Sequence, residues 1–126
     1  MSNCPFCSID KEDIVFEEDY VLAIYDKYPV STGHMLILPK FHDEKYFATC
    51  LRSILWAMVD RCKLYLDAKY SPDGYNVGIN IGEAAGQTVE HMHIHLIPRY
   101  EGDVDNPAGG VRGVIPERQK YGGGSN

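Results

Sequence analysis

Three of the chain's five histidines fall within five residues, as His91-Met92-His93-Ile94-His95. Side chains two apart on a β-strand share a face. The spacing therefore predicts a row of imidazoles on one side and Met92, Ile94 and Leu96 on the other. The apolar row must be the core row, which leaves the histidine row on an open or ligand-bearing face. Along a regular strand, neighbours in such a row are about 6.6 Å apart and the outer two about 13 Å. Zinc holds an imidazole nitrogen at about 2 Å, so two adjacent members could share an ion but all three could not. Different roles are expected for the three. Neutral imidazole is a competent nucleophile near pH 7, and flanking imidazoles can orient it, donate hydrogen bonds or protonate a leaving group. Just upstream, Asn80, Gly82, Gly86, Gln87 and Thr88 offer amide, hydroxyl and backbone N–H donors suited to phosphate oxygens. A weaker possibility is a catalytic metal on two of the histidines, acting through metal-bound water.

Four cysteines divide into two kinds. Cys4-Pro5-Phe6-Cys7 is a CxxC pair, open to a metal, a redox or a purely structural reading. No thioredoxin-like β-α-β pattern surrounds it, which argues against redox chemistry. His42 and His91 are the obvious further ligands, and two thiolates with two imidazoles fit a closed tetrahedral zinc site. Cys50 and Cys62 fall on the apolar stripe of a helix and read as small core residues.

The elements that must carry these residues are short. Ile14–Phe16 and Tyr20–Tyr25 read as a hairpin around Glu17-Glu18-Asp19, a solvated turn. Asp26–Gly33 is loop. Met35–Leu38 is a buried strand expected to stop at Pro39. Asp43 is a plausible N-cap for one long helix. Its apolar stripe runs through Tyr46/Phe47, Cys50/Leu51, Ile54/Leu55, Met58/Val59, Cys62 and Tyr65/Leu66. Ser71-Pro72-Asp73-Gly74 ends it. Tyr75–Asn80 and His91–Ile97 are the last strands, the second expected to end at Pro98. From Arg99 on, loop is expected, with Gly122–Asn126 mobile. Hairpins and one helix without β-α-β alternation predict an α+β fold, an antiparallel sheet with a helix across one face.

At 126 residues and 14.2 kDa the chain is expected to be a single domain over 1–126, with a core of about 4–99 and a C-terminal extension from 100. Twelve basic against eighteen acidic residues give −6, a field that disfavours long nucleic acid but not a small phosphorylated ligand. No apolar run approaches the roughly 20 residues of a membrane span. The N-terminus shows neither a basic start nor an apolar h-region, so a cytoplasmic location is expected.

His91-Met92-His93-Ile94-His95-Leu96-Ile97 resembles the histidine-triad (HIT) signature, His-φ-His-φ-His-φ-φ with φ apolar. Gly86-Gln87-Thr88-Val89 is similar to the family's stretch before the triad, and Asn80 stands where the family often carries asparagine. Gly33-His34-Met35-Leu36-Ile37-Leu38-Pro39-Lys40 is similar to a second family segment. The resemblance runs from about Cys4 to Arg99. It implies a five-stranded antiparallel sheet with one long helix and a short N-terminal knuckle, usually as a homodimer. It implies a hydrolase or transferase acting on the α-phosphorus of a nucleotide; the leading expectation is a hydrolase of a purine nucleotide, such as a dinucleoside polyphosphate or a nucleoside phosphoramidate. His93 would form a covalent nucleotidyl-histidine, with His95, His91, His34 and Thr88 completing the catalytic set. Asp26 would hold the ribose; Phe6, Ile9 and Ile24 the base; Asn80, Gln87, Thr88, His93 and His95 the phosphates. Family members with this CxxC and a histidine after Pro-Lys often hold structural zinc through the first triad histidine, here Cys4, Cys7, His42 and His91. A nucleotide sensor or adaptor with negligible turnover is the alternative. Trp56 could cover the dimer interface or make an intrachain contact. Arg112 could reach a phosphate or the partner, or simply be solvated.

Overall fold

The computed structural model describes residues 4–43 and 51–121. Five strands form one sheet: β1 (Ile14–Glu17), β2 (Val21–Tyr25), β3 (Met35–Pro39), β4 (Gly74–Ile79) and β5 (Ile94–Arg99). Their order is β1-β2-β3-β5-β4, and every neighbouring pair is antiparallel. Helix α1 (Arg52–Tyr70) lies across one face. A short 3-10 turn, Pro5–Cys7, opens the described chain. Cys50 and the first part of the predicted helical stripe lie outside the described residues. No described helix is long and apolar enough to cross a membrane.

Strand periodicity divides the core in two. Val21, Ala23, Met35, Ile37, Ile94 and Leu96 point to the helix and meet Leu55, Met58, Val59, Cys62 and Leu66. The alternate residues Leu22, Ile24, Leu36 and Leu38 point the other way and pack under Phe6, Ile9 and Ile14. β2 and β3 are thus buried on both faces, which is why they read as unbroken apolar runs. Cys62 is fully buried, and burial pushes its thiol up to about 12, so it packs as an apolar group rather than reacting.

The chain departs from the sequence reading at Pro98 and in the tail. β3 ends at Pro39 as expected, though the proline itself pairs with Val21, and β5 runs one residue past Pro98, which pairs with Tyr75. The tail from Gly110 is not plain loop but two 3-10 turns, Gly110–Val114 and Pro116–Arg118. Arg112 holds them together, donating from Nε to the Gln119 carbonyl at 3.1 Å and from Nη2 to the Arg118 carbonyl at 3.0 Å. Its guanidinium also lies over the Tyr121 ring, 4.5 Å from the centroid. Arg112 therefore folds its own tail. The expected mobile end, Gly122–Asn126, lies outside the described residues.

Candidate active site and metal cluster

The histidine row is not one regular strand. β3 and β5 pair through Met35↔Leu96, Leu36↔His95 and Ile37↔Ile94, and there the ladder stops. Two residues further along β3 stands Pro39, which has no N–H to give. The Met92 N–H turns instead to the Asp43 carbonyl at 2.6 Å. Residues 91–93 lie outside the strand, and the three imidazoles part company. Only His95 stands on the cleft face of a paired strand.

His91 is completely buried and does not line the cleft, which corrects its placement on an open catalytic face. Its Nε2 lies 2.8 Å from the Pro39 carbonyl. A carbonyl only accepts, so Nε2 carries the proton and Nδ1 keeps its lone pair. That Nδ1 is 3.4 Å from Cys4 Sγ and 3.6 Å from Cys7 Sγ, and His42 Nδ1 is 3.3 Å from Cys7 Sγ. All four ligand atoms lie within 4.8 Å of one another. A tetrahedral zinc with bonds of about 2.3 Å to sulfur and 2.05 Å to nitrogen separates such atoms by about 3.6 Å. The donor set fits, and the bond to Pro39 is the outer-shell contact that a metal-bound imidazole needs.

His93 is bound the opposite way. Its Nδ1–H donates to the His91 carbonyl at 2.8 Å, leaving the Nε2 lone pair as the reactive one. The Phe6 ring stands edge-on to it at 4.9 Å between centroids. Among the described residues, neither group of three or four ligand atoms close enough for a metal contains two triad histidines.

His95 belongs to a third arrangement. The Val30 N–H donates to His34 Nδ1 at 3.0 Å, so the His34 proton is on Nε2. That proton faces His95 Nδ1 at 3.0 Å and Asp26 Oδ2 at 3.4 Å. His95 in turn carries its proton on Nε2. The Asp26, His34 and His95 ligand atoms are close enough for a metal. However, an ion on His34 Nε2 would face an imidazole whose other nitrogen must stay unprotonated, the reverse of the usual outer-shell pattern. This trio is a hydrogen-bond chain. Burial, aided by the neighbouring His93 and His34, holds His95 down at about 4; burial also lowers His34 and His91. All three are neutral near pH 7.

The loop carrying His34 is tied down at several points. The Asp26 N–H reaches the His34 carbonyl at 3.0 Å, and Tyr100 Oη donates to the Thr32 carbonyl at 2.7 Å. Gly33 adopts φ +90, and a Cβ there would stand 3.0 Å from the Tyr70 ring, so glycine is required.

A cleft of about 880 Å³ opens on this face of the sheet. Phe6, Ile9, Ile24, Asp26, Asn80, Thr88, His93 and His95 line it, with Gly86, Leu36, Asp10, Glu12, Asp13 and Lys27. His34, expected in the catalytic set, and Gln87, expected at a phosphate, do not line the cleft. Buried His34 sits behind His95. Gln87 braces the loop, accepting from the Gly82 N–H at 2.8 Å and donating to the Val89 carbonyl at 3.0 Å. Sequence reading missed the carbonyls of Pro39 and His91 and the Val30 N–H, because main-chain groups leave no mark in residue identity. Lys27, next to Asp26, also lines the cleft and was not singled out from the sequence.

The fold is an antiparallel α+β sheet that presents a carbonyl-anchored imidazole to the cleft. The HIT domain family matches residues 9–102, and the chain belongs to that family. It is 40% identical to "Protein hit" of Bacillus subtilis over 104 residues, 78% of this chain and 72% of that protein. It is 38% identical to adenylylsulfatase HINT3 of Arabidopsis thaliana, covering 81% of this chain and 55% of that one. It is 33% identical to the bis(5'-adenosyl)-triphosphatase of Dictyostelium discoideum, covering 78% and 67%. Among solved structures, a zinc-bound histidine triad family protein from Mycobacterium smegmatis superposes with a TM-score of 0.74 at 33% identity, covering 81% of this chain and 78% of that one.

Proposed function

We propose that the protein is a nucleotide hydrolase that cleaves at the α-phosphate of a purine nucleotide through a covalent nucleotidyl-His93. The observation that carries this is the bond from His93 Nδ1–H to the His91 carbonyl, which fixes a lone pair on Nε2 at the wall of the cleft. Relatives named as an adenylylsulfatase and a bis(5'-adenosyl)-triphosphatase support the reaction class.

Nε2 bonds to the α-phosphorus as the bond to the leaving oxygen or nitrogen breaks, and the electron pair departs with that atom. Water then displaces Nε2 from phosphorus, gives up a proton, and a nucleoside monophosphate leaves. Thr88, Asn80 and the Gly86 backbone are the donors for phosphoryl oxygens. His95 offers its Nε2–H at the same end. The base would lie against Phe6, Ile9, Ile24 and Leu36, with the ribose at Asp26.

Zinc on Cys4, Cys7, His42 and His91 would be structural, closing the coordination sphere and pinning the N-terminal turn beside His93. We also read the assembly as a homodimer. Trp56 and Leu64, eight residues apart on α1, are 40% and 69% exposed, and β4 is an open sheet edge. Sedimentation velocity should give a dimer that Trp56→Glu weakens; a monomer in the native protein would remove this part of the reading.

The test of the reaction mixes native protein and His93→Ala with diadenosine tetraphosphate and, separately, adenosine phosphoramidate. AMP release with a transient adduct of one AMP, both lost in the variant, is expected. Full turnover by the variant would overturn the mechanism.

A further inference from the structure

We infer that the cleft selects guanine over adenine, and that Lys27 is the residue that reads the difference. This rests on the nucleotide reading above and goes beyond it to the base. Ile14, Ile24, Leu36 and His95 form one transverse row across β1, β2, β3 and β5. Two strand spacings of about 4.8 Å separate His95 from Ile24, comparable to the reach from a nucleotide's phosphorus to its base. With the phosphorus at His93 and His95, the far edge of the base arrives at the β1–β2 side of the cleft.

That side is polar. The antiparallel register Ile14↔Ile24 sends the residues before β1 and those after β2 out at the same end of the sheet. Asp10, Glu12, Asp13 and Lys27 all line the cleft. Their side chains make no hydrogen bond or ion pair with any described residue. One ammonium and three carboxylates thus line the cleft with no partner among the described residues. Lys27 is the sole lysine or arginine among the residues lining the cleft.

An ammonium only donates and a carboxylate only accepts. Guanine answers both: O6 and N7 accept from one cation, while N1–H and N2–H₂ donate side by side to one carboxylate. Adenine turns a donor, its N6–H₂, toward the position of O6 and lacks the paired N–H groups for a two-point bond to a carboxylate. Charge-assisted hydrogen bonds of this kind are worth about tenfold each in affinity. The preferred substrates would be guanosine nucleotides with a leaving group on the α-phosphate.

Calorimetric titration of the native protein and Lys27→Met with GMP, IMP and AMP tests this without turnover. GMP should bind about tenfold more tightly than AMP, with IMP between them. Lys27→Met should weaken GMP and bring the GMP/AMP ratio to within about threefold. AMP binding as tightly as GMP in the native protein would overturn the base preference and leave the nucleotide reading intact. An unchanged ratio in Lys27→Met would overturn the role of Lys27. No binding of any of the three would overturn the nucleotide reading itself.

Discussion

His91 and His93 hand opposite ring nitrogens to backbone carbonyls: His91 gives Nε2–H to Pro39, and His93 gives Nδ1–H to His91. Two residues apart, they hold opposite tautomers. The first therefore presents Nδ1 to the cysteines and the second Nε2 to the cleft. Nitrogen-15 correlation spectra of histidine-labelled protein near pH 7 should show His93 protonated on Nδ1 and His91 on Nε2. Nε2 protonation of ligand-free His93 would remove the basis for its nucleophilic role.

The proton inventory at His95 makes the reaction depend on the leaving group. His95 holds one proton, on Nε2. A departing phosphate needs no proton, whereas a departing amine does. His95→Asn should therefore slow adenosine phosphoramidate cleavage by about 10²–10⁴-fold, the usual range for lost acid catalysis. Diadenosine tetraphosphate cleavage should fall by at least tenfold less. Equal losses on both substrates would show that His95 only positions the phosphate.

Burial of neutral His95 has a consequence for acid stability. Its folded value of about 4 lies below the ordinary 6.5, with Asp26 opposing the shift and His34 and His93 adding to it. Between those values the unfolded chain binds the extra proton, so stability rises with pH over that window and is lost as pH falls through it. The contribution at pH 7 is about 3 kcal/mol at most. Buried His34 and His91 act in the same direction. Urea unfolding at pH 7 and pH 4.5 should show the loss, and His95→Asn should reduce the difference between them.

The two cysteines flank Phe6, whose ring meets His93, so the metal cluster and the cleft share a wall. Elemental analysis of protein never exposed to a chelator or to nickel resin should find about one zinc per chain. Chelation or Cys7→Ser should lower the melting temperature and weaken nucleotide binding together. Undiminished AMP and GMP affinity after complete zinc removal would separate the knuckle from the cleft.

Much of the fold was legible because unbroken apolar runs mark β2 and β3 as strands buried on both faces, and residue type alone sets the parity of β5. Ile94, His95 and Leu96 alternate as their polarity demands. The same rule failed for His91–His93 because a ladder ends where its partner strand lacks an N–H. That partner is Pro39, more than fifty residues away. The CxxC-and-histidine ligand set could be named from sequence, but not the bond between Met92 and Asp43 that carries His42 to it. Periodicity also hid the third arrangement. Nothing in Val30 as a residue type announces that its backbone N–H sets the His34 tautomer and, through it, the proton on His95.

Each of the three tautomer assignments ends on the main chain: on Pro39, on His91 and on Val30. The protonation pattern is therefore written in the path of the backbone, where exchanging a neighbouring side chain cannot erase it. Asp10, Glu12, Asp13 and Lys27 at the cleft, by contrast, are exposed side chains. A lineage could then acquire new bases or leaving groups by substitution at these positions, while the nucleophile remained heritable as a shape rather than as a set of contacts.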